Sequence, residues 1–163
     1  MMDAAHLHLL LNHIPVIGTA VGLFLLAWGL WRNSDELKKV SLSIFIISAV
    51  IAIPTYLTGE SAEELVEHLS GVSESLIERH EDAAVVAVVA LELLGLAAAV
   101  TLVLFQRAHR AVHMMLAASL VLALVTGGLM ARTANLGGQI RHTEIRPLTF
   151  SPVRGLAHRH MER

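Results

Sequence analysis

Four long apolar segments constrain this chain more than any other feature. Residues 9–31, 40–58, 83–105 and 112–131 each offer about 19 to 23 positions, mainly Leu, Val, Ile and Ala, the length a helix needs to cross the hydrocarbon core of a bilayer. A soluble helix bundle carries polar residues every third or fourth position on its outer faces. The stretches 83–91 and 116–125 carry almost none. With 55% hydrophobic and 16% charged residues in 163 positions, the chain has more apolar surface than one small soluble core could bury. The expected fold is all-α: an integral-membrane four-helix bundle over residues 1–146, a short interfacial helix in the middle loop, and a basic tail over residues 147–163.

The opening MMDAAHLH lacks the basic region of a secretory signal, so the first segment is expected to remain as a span. There is no cysteine, which excludes disulfides, covalently attached c-type haem and cysteine-bound iron–sulfur clusters but leaves b-type haem open. The net charge of −2 gives no reason to expect a nucleic-acid partner. No Ser–His–Asp arrangement or His-Glu-x-x-His motif points to hydrolysis, and no catalytic residue is assigned.

Four spans put both termini and the middle loop on one side and the short turns 32–39 and 106–111 on the other. The turns carry Arg32, Lys38, Lys39, Arg107 and Arg110, whereas residues 59–82 set Arg79 alone against eight acids. Positive charge favours the cytoplasmic side, so the termini are expected in the periplasm of a bacterial inner membrane. Arg132, Arg141, Arg146, Arg154, Arg159 and Arg163 in and before the tail pull the other way. Trp28, Trp31 and Tyr56 sit where interfacial anchors belong.

Eight of the ten histidines fall at the termini-and-loop side: His6, His8, His13, His68, His80, His142, His158 and His160. Only His109 and His113 lie at the other. An imidazole among apolar side chains needs partners for its ring nitrogens, so His13, just inside the first segment, is the leading candidate, with His6 seven positions earlier on nearly the same face. His80 opens the third segment, and facing His13 it would supply the second ligand of a b-type haem, or of a non-haem transition metal with a carboxylate added. His142 and Arg141 follow Gly137-Gly138, a pair expected to break the fourth helix and fold these residues over the bundle mouth, with Arg141 toward a haem propionate. Glu60, at the exit of the second segment, is a further metal ligand. The ligand set is thus His13, His80, His142, His6 and Glu60. Ser61 with Glu64 reads as a capping box, and Glu64 with His68 reads as a solvated pair.

Glu92 lies about nine residues, roughly 13 Å, inside the third segment. With Glu81 on the same face it forms a candidate proton path; the plainer reading is a protonated carboxyl bonded to Thr19, Ser48 or Thr126. Gly18 and Gly22 make a small-xxx-small pair that packs helices, within the chain or between two copies of a homodimer. No internal repeat of useful fidelity is legible.

His8-Leu-Leu-Leu-Asn12-His13-Ile14-Pro15, Thr58-Gly59-Glu60, His80-Glu81 and Gly137-Gly138-Gln139-Ile140-Arg141-His142 together resemble a family of small, poorly characterised bacterial four-helix inner-membrane proteins. The resemblance covers most of the chain and implies a redox or metal role for histidines at one interface. The architecture also looks like that of b-type membrane cytochromes, although a second haem at the opposite face would have only His109 and His113. The function expected is electron transfer through a haem or metal centre, with a quinone or a redox partner protein. The alternatives are a proton or metal-ion binding or transport module, and a non-catalytic subunit of a membrane complex.

Overall fold

The computed structural model describes residues 4–67 and 72–146. Six α-helices and one 3-10 turn account for them: α1 (Ala4–Leu11), α2 (His13–Trp31), α3 (Asp35–Leu57), α4 (Gly59–Glu67), α5 (Glu74–Gln106), α6 (Val112–Arg141) and the turn Thr143–Ile145. No strand occurs among the described residues. The stretches Ala4–Trp31, Asp35–Leu57, Glu74–Gln106 and Val112–Arg141 are long and apolar enough to cross a membrane. Only 22–33% of the most apolar window of each lies inside the bundle. Most of the hydrophobic surface therefore points outward, as the multi-pass architecture of a membrane protein requires.

Each span packs against its sequence neighbours, and α6 closes the ring on α2. The bundle is thus a square of antiparallel helices. Its core stacks Leu26, Leu42, Phe45, Leu91, Leu94, Ala98, Leu116 and Ala123. The close approach of α2 to α3 depends on glycines. The Ser48 hydroxyl fills the notch of Gly18, and a Cβ on Gly22 would fall 2.5 Å from the Phe45 ring. The Ser41 hydroxyl donates to the Gly22 carbonyl at 2.7 Å. Gly18 and Gly22 are therefore spent inside the bundle, which corrects their expected availability between protomers. Gly95 does the same between α5 and α3, where Ala49 occupies its notch.

The helix ends depart from the apolar segments for identifiable reasons. α3 starts at Asp35, five residues before the apolar run, because the Ser34 side chain accepts the Leu37 amide at 3.3 Å and Asp35 and Glu36 fill the first turn. α5 starts at Glu74 and α6 runs to Arg141 because Leu76, Ile77 and Ile140 form a second small core beyond the main one. The expected break at Gly137-Gly138 does not occur. Both glycines are helical, and α6 ends where Arg146 donates to the carbonyls of Gln139 (2.8 Å) and Ile140 (3.0 Å). Ser61 likewise is not a cap, since α4 already begins at Gly59, directly after the end of α3. The break between α1 and α2 at Asn12 follows from Pro15, whose ring conflicts with the Leu11 carbonyl one turn earlier.

Both short turns use one device. The Ser34 amide reaches back to Gly29 O (2.9 Å) and the Asn33 amide to Leu30 O (3.3 Å); His109 and Ala108 repeat the pair onto Leu104 O (3.0 Å) and Phe105 O (3.1 Å). This is the double bond of a Schellman stop, which needs a left-handed residue. Asn33 (φ 50) suits that conformation, whereas Ala108 (φ 47) does not. Ala108→Gly is expected to raise stability by about 0.5–1 kcal/mol, read as a shift of the unfolding midpoint in a denaturing-detergent titration. An unchanged or lowered midpoint would contradict the strain.

Candidate functional site

At the end of the bundle that holds the chain's first helix, two histidines are held in the same way. On α1, His8 is half-buried, and its Nδ1–H donates to the Thr55 carbonyl near the end of α3 at 2.8 Å. On α5, His80 is half-buried, and its Nδ1–H donates to the Thr133 carbonyl on α6 at 3.0 Å. A carbonyl only accepts, so in the neutral rings Nδ1 carries the proton and Nε2 keeps its lone pair.

A glycine accompanies each contact, four residues after the accepting threonine. A Cβ on Gly137 would lie 3.0 Å from His80 Cε1, and one on Gly59 would lie 3.7 Å from His8 Cε1. In a helix the carbonyl of residue i is overhung by the side chain of residue i+4, so within α6 the glycine at 137 opens the Thr133 carbonyl to an imidazole, whereas the Thr55 carbonyl is accessible because α3 ends at Leu57. Thr55-Tyr-Leu-Thr-Gly59 and Thr133-Ala-Asn-Leu-Gly137 thus share a threonine carbonyl that receives an imidazole, but only Gly137 leaves room that a Cβ would take; at Gly59 a Cβ would make ordinary contact with the His8 ring. Each helical hairpin places a histidine near the start of its first span against a Thr-x-x-x-Gly near the end of its second. This is an internal repeat that sequence inspection missed, because the shared letters are few and acquire meaning only once the hairpins are paired.

The other expected site residues lie elsewhere. His13 is exposed. Five residues separate it from His8, about 140° around a helix, so with His8 turned inward His13 faces out. His6 and Glu60 are exposed as well. Arg141 and His142 are exposed at the end of α6, where His142 Nδ1 pairs with Glu144 Oε1 at 2.9 Å instead of joining the interior rings. The Glu144 carboxyl is held below the ordinary carboxylate range by its own backbone N–H first and by the His142 ring second. His68, His158 and His160 lie outside the described residues, as does the tail 147–163.

Among the described residues no three His, Asp or Glu side chains converge as metal ligands would. Glu81 is exposed, while Glu92 is half-buried with Oε1 lacking any hydrogen-bond partner. The hydroxyls proposed to hold it are otherwise placed. Thr19 donates to the Pro15 carbonyl at 2.7 Å, Ser48 packs into Gly18, and the Thr126 hydroxyl is itself buried without a partner. No known protein family, curated protein or solved structure matches the chain.

Proposed function

We propose that the chain is a membrane electron-transfer protein that holds one b-type haem between His8 and His80. The observation that carries this reading is the pair of half-buried imidazoles, each fixed by Nδ1–H on a main-chain carbonyl with Nε2 left as a ligand atom. Metal-binding histidines are oriented in this way, and the carbonyl raises the basicity of the ligating nitrogen. His8 and His80 would be the residues to hold a haem, which can be bound by two imidazoles, whereas a tetrahedral zinc or non-haem iron site needs three or four protein ligands.

When bound, a haem supplies one-electron chemistry at its iron. The chain's own residues do the rest. Thr55 and Thr133 hold the rings, and Gly137 leaves room for that of His80. We assign the histidine end to the periplasmic side of a bacterial inner membrane, on the positive charge of the two opposite turns. A membrane quinone or a redox partner protein would exchange the electrons.

The test is a reduced-minus-oxidised visible spectrum and iron content of the detergent-purified full chain, beside His8→Ala and His80→Ala. A shifting Soret band is expected in the natural protein, and its loss in either variant with helical content unchanged. A colourless, iron-free natural protein from haem-replete cells would sink the reading. So would a band that survives both substitutions. A colourless result would turn attention to Glu92, whose buried, unpaired oxygen favours a proton-carrying role.

A further inference from the structure

The opposite end of the bundle, where the two short turns meet, holds an open cleft of 490 Å³. Its wall is cationic. Lys38, Lys39, Arg110, His109 and His113 line it, and Asp35 is the one acid among its lining residues. Asp35 is already committed, because Lys38 Nζ donates to its Oδ1 at 2.9 Å and to Asn33 Oδ1 at 3.1 Å. That contact leaves Lys39 and Arg110 without an ion-paired acid among the described residues.

Lys38 is only 3% exposed, and an ammonium has three N–H donors. Two are accounted for, and the third has no partner among the described residues. A buried lysine with a spare donor at the wall of a cationic cleft is prepared for an anion. Two further features act in the same sense. The His109 Nδ1 accepts the Ala111 amide at 3.1 Å, so the neutral ring carries its proton on Nε2 and can donate there. α6 begins at the cleft with no acid in its first turn and no side-chain cap on its amides, leaving its positive end unneutralised.

The Lys39 ammonium rests over the Phe105 ring, 5.3 Å from its centroid, beside the aliphatic wall of Val112 and Leu116. Trp28 and Trp31 are exposed close to the α2–α3 turn, the depth at which headgroups lie. We propose that this cleft binds a phosphate-bearing anion, supplied either by the headgroup of an acidic phospholipid or by a free phosphate compound.

Three probes separate the outcomes: phosphatidylglycerol, phosphatidylcholine and inorganic phosphate, each titrated onto the full chain in neutral detergent and read by native mass spectrometry and unfolding midpoint. Binding of phosphatidylglycerol over phosphatidylcholine without binding of inorganic phosphate identifies a headgroup site. Comparable binding of inorganic phosphate identifies a free phosphate site. In either case Lys39→Gln and Arg110→Gln are each expected to weaken binding about fivefold, and at least tenfold together. Both side chains are exposed, so the fold is not at stake. Arg132→Gln, at the other end of α6, is the control and leaves affinity unchanged. The proposal is overturned if neither phosphatidylglycerol nor inorganic phosphate binds better than phosphatidylcholine, if the double variant binds as the natural protein does, or if Arg132→Gln weakens binding equally.

Discussion

Gly22→Leu is expected to lower the stability of the bundle by about 3 kcal/mol, whereas Gly128→Leu, in the same chain and also within a span, should change it by less than about 0.5 kcal/mol. The contrast rests on what a side chain would meet. At Gly22 the first added carbon falls 2.5 Å, 2.8 Å and 3.1 Å from three atoms of the Phe45 ring. Phe45 is fully buried between α2, α3 and α5, so the ring has nowhere to go. Moving α2 away instead would stretch the Ser41 bond to the Gly22 carbonyl, adding about 1 kcal/mol to the cost of overpacking. At Gly128 nothing lies within 4 Å and the position faces outward. Unfolding in a denaturing-detergent titration measures both, and equal effects at the two glycines would refute the packing assigned to α2 and α3.

That comparison also shows what the sequence alone could and could not convey. The four spans and their antiparallel order were legible because hydrophobic runs of this length have few other uses. The small-xxx-small pair at Gly18 and Gly22 was legible as a packing surface, but nothing local says which helix it receives. Ser48 and Phe45 supply that answer from α3. The helix ends were less legible. Ser34 followed by Asp35 and Glu36 is a start signal that hydropathy alone overlooks, and the extension of α5 and α6 depends on Leu76, Ile77 and Ile140 meeting across two chain segments.

The site was half legible. His80 was singled out because an imidazole at the head of an apolar helix has no structural excuse, and the structure gives it a specific partner. The sequence favours His13 over His8 because it lies deeper in the apolar run. Depth along the sequence is a poor guide where Pro15 interrupts the helix at Asn12. What orients His8 is a carbonyl on another helix, left accessible where α3 ends at Leu57, and an accessible carbonyl leaves no mark in hydropathy or charge.

Gly137→Leu should therefore act on the site rather than on the spans. The first added carbon would lie 3.0 Å from Cε1 and 3.2 Å from Nδ1 of His80, and the ring is tied at that place by its bond to Thr133. The Cβ alone asks the ring to give by a few tenths of an ångström, and the leucine's further carbons are expected to push it off the Thr133 carbonyl, at a cost of about 2 kcal/mol in lost bonding and strain. Nitrogen NMR of the imidazole should then show that His80 loses its Nδ1–H tautomer while His8 keeps it, with far-UV circular dichroism unchanged. Two neighbouring substitutions isolate the cause. At Gly138 an added carbon meets Ile145 at an ordinary 3.5 Å, and at Gly59 it meets the His8 ring at 3.7 Å, so alanine at either place should leave both tautomers intact. If His80 keeps Nδ1–H in Gly137→Leu, the glycine is not what admits the ring. If the tautomer is lost and His80 holds a haem as proposed, the same variant should bind haem as poorly as His80→Ala, because a ring that has left Thr133 is no longer held with Nε2 as its free ligand atom.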